Sequence, residues 1–392
     1  MRVCLATTEY PPVTSYSGGI GTQFAALAPA LARLGHEVHV ITLADPAGRK
    51  APGEAVIHAV PKPRLGRLWP AADPAWSVRV ARCLSALGRF DVIFAPEWCA
   101  PAAVYSRRKR SGALITNLTT SLEQALAISP ELPAWRSLRV QYAIQRRAER
   151  AQAERSDGLA ASSAAILAWS RRLWKLDGIP AAVVPNMVDA ELVREWAQGE
   201  LPIEIPADAP VVAFSGRLEL RKGVDVLAEA MRAVWAEVPE TRLVLAGRDS
   251  PRRQGTMGEH VLRVTGDHAD RVHLLGAQPR ERLFPLLARA DVVALPSRWE
   301  NFGLAALEAM AVGSAVVATD AGGFPEFMDD GIDARLVPPA NADALARAVI
   351  ELLGDRELRQ RLGSAAARKA ERFDSPAIAA RHLELFERVA GV

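Results

Sequence analysis

The sequence predicts an α/β protein made of two doubly wound domains in tandem, each a parallel sheet covered by helices on both faces. Three observations predict it. Short, almost uninterrupted apolar runs, the mark of strands buried on both faces, alternate with stretches of helical period along the chain. The alternation breaks at the proline-rich stretch 201–210 and then restarts with its own strand series. Finally, 392 residues, 49% hydrophobic and 24% charged, are more than one core ordinarily holds, and the composition excludes a disordered or fibrous chain.

Taken in order, residues 3–6 form the first predicted strand, 11–21 are rich in breakers, 24–34 have helical spacing stopped by Gly35, and 38–41 are the next strand. This is a β-α-β unit. Further strands are predicted at 55–60, 91–95, 113–117, 158–161 and 182–184, with helices at 77–87 and 137–154 between them. Pro202, Pro206 and Pro210 mark the expected linker. Beyond it the predicted strands are 211–214, 242–246, 272–275, 291–295, 315–318 and 334–337, and the tail reads as helix over 342–372 and 376–389. The expected division is residues 1–190 and 191–375, with a final helix, 376–392, packing back on the first domain. Two such sheets would face each other across a cleft, and ligands of doubly wound sheets sit at the carboxyl ends of the strands.

The net charge is +3, but it is unevenly spread: residues 1–200 hold 24 Lys and Arg against 17 Asp and Glu, and the remainder 24 against 28. Cys4, Cys83 and Cys99 are an odd set without C-x-x-C spacing, which argues against a disulfide framework or zinc ribbon and for a reducing compartment. The start, Met1 to Ala6, turns polar at Thr7 before any signal-peptide core forms. The apolar segment 304–319 is interrupted by Glu308, short of a membrane span. A cytoplasmic location is therefore expected.

Three loops carry the chemistry. After the strand at 291–295 come Glu300 and Gly303, and a helix opens at Leu304; free N–H groups at Gly303 and Leu304 and the positive helix terminus suit a phosphate or diphosphate. Glu300 and Glu308 flank that site as acceptors for sugar hydroxyls. After the strand at 211–214, Arg217 and Lys222 supply the cations that a departing diphosphate requires. After the first strand, Gly19 and Gly21 invite a dinucleotide reading, but Phe24 stands where the third glycine belongs and Asp45 is poorly placed for a ribose. No H-E-x-x-H metal motif, G-x-S-x-G elbow or Walker loop is found, and no carboxylate pair suggests a double-displacement glycosidase.

Glu300 and Glu308 form an E-x7-E pattern. With Gly216-Arg217, Lys222-Gly223, residues 321–326 and Gly18-Gly19 in order around it, the chain resembles the retaining glycosyltransferase family 4, of GT-B fold, over nearly its whole length. The resemblance implies two Rossmann-like domains, an acceptor-side first domain and a nucleotide-sugar-binding second one. It also implies transfer of a hexosyl or N-acetylhexosaminyl group from a nucleotide-diphosphate sugar, UDP-sugar favoured, to an acceptor hydroxyl with retention, with no cofactor and no essential metal. By similarity Arg217 and Lys222 hold the diphosphate, Glu308 the ribose, Glu300 a donor-sugar hydroxyl, Gly19 the distal phosphate, and the stretch from His273 to Gln278 the base. Where members commonly carry a histidine after the fifth strand, this chain has Thr119, so that contact falls to Thr119 or Thr120 or is not made at all. The competing classes are a nucleotide-sugar epimerase of the same architecture, an oxidoreductase, and a non-catalytic sugar-nucleotide-binding protein. Basic residues 107–110 and Arg136, Arg139, Arg146, Arg147, Arg150 and Arg155 suggest contact with an anionic acceptor or the inner face of an anionic membrane. No nucleic-acid partner is expected.

Overall fold

The computed structural model describes residues 1–11, 13–14, 18–44, 55–63, 71–108, 112–129, 136–252 and 254–392. Tyr16 and Ser17 of the glycine-rich loop, Asp45, Lys109 and Arg110 lie outside the described residues. The chain divides into two units: unit 1 holds Met1–Ala127, Pro133–Met187 and Ser375–Val392, and unit 2 holds Ile128–Leu132 and Val188–Asp374.

Unit 1 runs β1 (Arg2–Ala6), α1 (Gly19–Arg33), β2 (Glu37–Leu43), β3 (Val56–Val60), α2 (Ala72–Leu87), β4 (Val92–Pro96), β5 (Ala113–Leu118), α3 (Leu122–Ile128), α4 (Arg136–Glu154), β6 (Gly158–Ala161), α5 (Ala164–Leu173) and β7 (Ala181–Val183). Its seven strands are parallel and ordered β3-β2-β1-β4-β5-β6-β7. The central strands β1 and β4 are buried almost throughout, as their unbroken apolar runs require.

Unit 2 runs α6 (Ala190–Trp196), β8 (Val211–Ser215), α7 (Val224–Glu237), β9 (Arg242–Ala246), α8 (Met257–Thr265), β10 (Val272–Gly276), α9 (Arg280–Arg289), β11 (Val292–Leu295), α10 (Leu304–Ala311), β12 (Val316–Thr319), β13 (Arg335–Val337), α11 (Ala342–Gly354) and α12 (Arg356–Ala370). Its six parallel strands are ordered β10-β9-β8-β11-β12-β13. In both units the strand order reverses once: between β1 and β4 in the first, between β8 and β11 in the second. A doubly wound sheet opens a crevice at that point, because the connections on either side leave in opposite directions.

The last helix, α13 (Ser375–Ala390), packs within unit 1 on α1, β5 and β6. Its Phe386 and His382 rings lie 5.3 Å from the ring of Phe94 on β4. Glycine also permits this docking: a Cβ at Gly158 on β6 would collide with the Val389 side chain.

Three features differ from the reading of the sequence. Helix α1 begins at Gly19, not at 24, because Gly18 supplies an extended N-cap and the small residues after it enter the helix. The predicted tail helix over 342–372 is two helices, for Asp355 leaves the helical conformation and its carboxylate accepts from Leu358 N at 2.9 Å, capping α12. The proline-rich stretch 201–210 runs inside unit 2, where Ile203 and Ile205 pack against the core, and the segment of unit 2 that contains it is bounded at 187/188 and 374/375.

Candidate active site

Strands β8 and β11 flank the reversal in unit 2, and the loops that leave their carboxyl ends carry the predicted charged residues. After β8 the chain passes Gly216 and Arg217, makes a single 3-10 turn over Leu220–Lys222 and enters α7 through Gly223, whose φ is 68°. A Cβ at Gly223 would overlap the Pro296 carbonyl, so glycine lets this loop lie directly on the one leaving β11. That second loop runs from Pro296 to Gly303, whose φ is 104°, and opens α10 at Leu304. Gly323 from the turn after β12 supports it from below, donating its N–H to the Glu300 carbonyl at 2.8 Å.

The two loops meet through charge. The Lys222 ammonium pairs directly with Glu300 Oε1, an oxygen that also accepts from Ser297 Oγ at 2.9 Å. Arg221 reaches the other oxygen, Oε2, at 3.5 Å, the Trp299 carbonyl at 3.2 Å and Glu219 at 3.0 Å. Arg217, half exposed, pairs with the second oxygen of Glu219 at 3.2 Å. Burial pushes the Glu300 carboxyl up, but Lys222 and Arg221 beside it overrule burial and hold it at about 2. Burial and the Arg221 charge draw the Lys222 ammonium below its ordinary value, against the pull of Glu300. Glu300 is therefore ionised at neutral pH. Three basic side chains, Arg217, Arg221 and Lys222, face the two carboxylates of Glu219 and Glu300 here, an arrangement suited to an anion.

Glu308 lies one turn into α10, nearly buried, with its carboxylate 2.8 Å from Arg280 at the start of α9. Arg280 is itself steered by the rings of Phe284 and Trp196, 5.2 and 6.0 Å from its guanidinium carbon. Gln278 folds back to donate to the Leu275 carbonyl at 2.6 Å, fixing the turn that ends β10. His273 sits near the amino end of that strand, where burial and Arg242 lower its imidazole pKa and Asp270 opposes them. The structure therefore joins Arg217, Lys222 and Glu300 into one cluster with Gly303 and Leu304 on the same loop, and holds Glu308 on the following helix. Gln278 belongs to the turn after β10, and His273 to the opposite end of that strand.

In unit 1, Gly18 N donates to Glu9 Oε2 at 2.6 Å, so a carboxylate stands at the N-terminus of α1, where Gly19 is the first residue. Thr119 follows β5 and is almost buried; its N–H donates to both oxygens of Glu97, at 2.7 and 2.8 Å, and its hydroxyl to Oε2 at 3.0 Å. Glu97 closes β4, at the reversal of this sheet, and is fully buried. Burial pushes its carboxyl up, the Thr119 N–H and hydroxyl pull it back, and it settles at about 7.

Arg221, Arg280 and Glu97 were not singled out in the sequence. Arg221 is adjacent to Lys222 and reads as one more solvated charge; only the 3-10 turn, which aims both side chains at Glu300, brings it in. Glu97 had a signal, a lone carboxylate directly after an apolar strand.

Among the described residues no group of His, Cys, Asp and Glu is placed to hold a metal, and no helix is long and apolar enough to cross a membrane. Residues 17–192 match the family described as Glycosyltransferase Family 4, and residues 202–369 that described as Glycosyl transferases group 1. A phosphatidyl-myo-inositol mannosyltransferase of Mycolicibacterium smegmatis is 30% identical over 95% of this chain and 91% of its own. A D-inositol 3-phosphate glycosyltransferase of Saccharomonospora viridis is 31% identical over 92% of this chain and 87% of its own. Among solved structures, sucrose-phosphate synthase from Thermosynechococcus elongatus aligns over 100% of both chains with a TM-score of 0.79 at 23% identity. Anabaena HepE in complex with UDP and glucose aligns over 97% of this chain and 98% of that one with a TM-score of 0.70 at 22% identity. These likenesses establish the GT-B fold.

Proposed function

Because the chain belongs to glycosyltransferase family 4, with the group 1 glycosyl transferase region as its second half, we propose that it moves a sugar from a nucleotide-diphosphate donor, a UDP-sugar first among them, to an acceptor hydroxyl with retention at the anomeric carbon. The observation that carries this reading is the Arg221–Lys222–Glu300 cluster at the β8/β11 reversal, with Arg217 at its rim. Binding of a diphosphate exchanges partners: Lys222 turns from Glu300 to the phosphate oxygens, and Glu300 is released to accept from a donor-sugar hydroxyl. In the reaction the bond from the anomeric carbon to the phosphate oxygen breaks, with the electron pair staying on the phosphate. The acceptor oxygen bonds to that carbon on the same face, and its proton passes to the leaving oxygen. Lys222, Arg217 and the N–H groups at Gly303 and Leu304 stabilise the charge that grows on the diphosphate, while Glu308 takes the ribose hydroxyls and Gly19 the distal phosphate. The turn that runs to Gln278 is the base contact, made through its backbone.

For the acceptor we take an inositol-bearing alcohol, free or in a lipid headgroup, since both relatives above are named for inositol acceptors. Contact with an anionic membrane through α4 accompanies the lipid form, at the cytoplasmic face. The test is a panel of UDP-, GDP- and ADP-sugars, first alone and then with D-inositol 3-phosphate or phosphatidylinositol vesicles, with product configuration read by NMR. Lys222→Ala should lower transfer by two to three orders of magnitude, since a charge-stabilising donor is worth roughly 3–4 kcal/mol. Wild-type transfer by a folded Lys222→Ala protein, or an inverted product, overturns the proposal.

A further inference from the structure

Arg298 belongs to none of the roles above, yet it ties the two site loops together a second time. It lies on the loop after β11, two residues before Glu300. Its guanidinium forms a fork with Asp225 in the first turn of α7, Nη1 to Oδ1 and Nη2 to Oδ2, both 2.7 Å. Nη1 also donates to the Leu220 carbonyl at 2.5 Å, and the Arg298 backbone N–H donates to the Arg221 carbonyl at 2.7 Å. One residue thus grips the 3-10 turn at Leu220 and Arg221, and the helix that follows it at Asp225, so that Lys222 and Gly223 are bracketed on both sides. Two parallel charge-assisted bonds fix direction as well as distance, which a single lysine contact does not.

The exchange proposed for the reaction shows why a second clasp is needed. In this structure the loops are also tied by Lys222 to Glu300. When Lys222 turns to a diphosphate that tie opens, and the loop that carries Lys222 keeps its place only through contacts that the ligand leaves alone. The Arg298–Asp225 fork is such a contact: its charges satisfy each other, and it lies on the α7 side of the turn. We propose that Arg298 and Asp225 are positioning residues that hold Lys222 and Arg221 at the reversal while the Lys222–Glu300 pair is exchanged for the donor diphosphate. This inference rests on the glycosyltransferase reading above.

The test uses the full chain with Arg298→Ala, Arg298→Lys, Asp225→Asn and Lys222→Ala, singly and with the first combined with the last. UDP and GDP serve as binding probes in calorimetry, and hydrolysis of the nucleotide sugar that the wild type turns over serves as the rate assay. Arg298→Ala and Asp225→Asn should each weaken nucleotide binding by about threefold to tenfold and lower kcat of hydrolysis by tenfold or more, with melting temperatures close to wild type; Arg298→Lys should be intermediate. The double variant Arg298→Ala/Lys222→Ala should be no slower than Lys222→Ala alone, because both changes remove the same placed charge. A merely structural role would instead multiply the two losses. Multiplied losses, or a folded Arg298→Ala or Asp225→Asn protein with wild-type kcat and affinity, overturn the inference. If Arg298→Ala fails to fold, the near-isosteric Asp225→Asn decides, combined with Lys222→Ala in the same way. Failure of the underlying reading has a different signature: Lys222→Ala itself would then hydrolyse donor at the wild-type rate.

Discussion

Gly303 is required twice over. Its φ of 104° is open to glycine at little cost, and a Cβ there would collide with the Phe324 ring, which is itself fully buried under the loop. Gly303→Ala therefore combines backbone strain of about 1–2 kcal/mol with displacement of a packed aromatic ring. The expected outcome is a melting temperature lower by several degrees and loss of UDP and GDP binding; a variant that melts and binds like the wild type would show that neither constraint acts. At this scale the sequence was informative where chemistry and spacing coincide: Lys222, Glu300, Gly303 and Glu308 fall on loops or helix starts that follow recognisable strands. It was uninformative where the role comes from direction alone. Arg221 and Arg298 read as surface charges until the 3-10 turn and the fork to Asp225 are seen.

Helix α4 has two polar faces of different kinds. Inward, Gln145, Glu149 and Gln152 recur at helical spacing and are buried. Glu149 accepts from Cys99 N at 3.2 Å and Leu122 N at 2.8 Å, and Gln152 accepts from Ala102 N at 2.8 Å. The helix thereby pins the loops that leave β4 and β5. The loop at Cys99 and Ala100 needs such support, for both residues hold left-handed φ values of 59° and 44°. Outward, Arg139, Arg146, Arg147 and Arg150 are exposed, though Arg146 pairs with Glu123 and Arg150 with Glu154. In the proposed membrane contact the charge of this face rests most on Arg139 and Arg147, each worth about 1 kcal/mol near an anionic surface. Arg139→Glu/Arg147→Glu should abolish co-sedimentation with phosphatidylinositol-rich vesicles at low salt and leave the melting temperature unchanged; undiminished binding removes the lipid contact. Periodicity located this helix to within a residue because it is long and regular, but a polar inward face is invisible to a pattern that equates polar with exposed. The same limit applies to the tail, where an apolar stripe continues across Asp355 although the backbone does not.

Across the whole molecule, the buried titratable groups of unit 1 set a pH window for its stability. His382 on α13 is buried between aromatic rings, and burial, reinforced by Arg381, lowers its imidazole to about 3. Neither ring nitrogen has a hydrogen-bond partner among the described residues. A folded pKa below the unfolded one means that the unfolded chain binds the proton, so the contribution of His382 to stability falls as pH drops below about 6.5 towards 3. Glu97 and Glu149 act in the opposite sense. Burial raises them to about 7 and about 8, Glu149 being helped by the Glu97 charge and restrained by Gln145 and Leu122 N. The stability tied to their protonated forms is complete below about 4.5, falls from there at up to about 1.4 kcal/mol per pH unit for each group, and is gone above about 7 for Glu97 and about 8 for Glu149. Above about 4.5 the two falling contributions outweigh the rising one, so unit 1 is expected to be most stable near pH 4.5 and to weaken on both sides. Scanning calorimetry from pH 3 to pH 9 checks this with two variants that each act on one limb. His382→Phe should flatten the decline below pH 4.5, and Glu149→Gln should flatten the decline between pH 7 and 8, whatever each does to stability at the optimum. If the acid limb of His382→Phe parallels the wild type, the imidazole is not what acid attacks. If the alkaline limb of Glu149→Gln is unchanged, the three donors around that carboxylate already keep it ionised throughout.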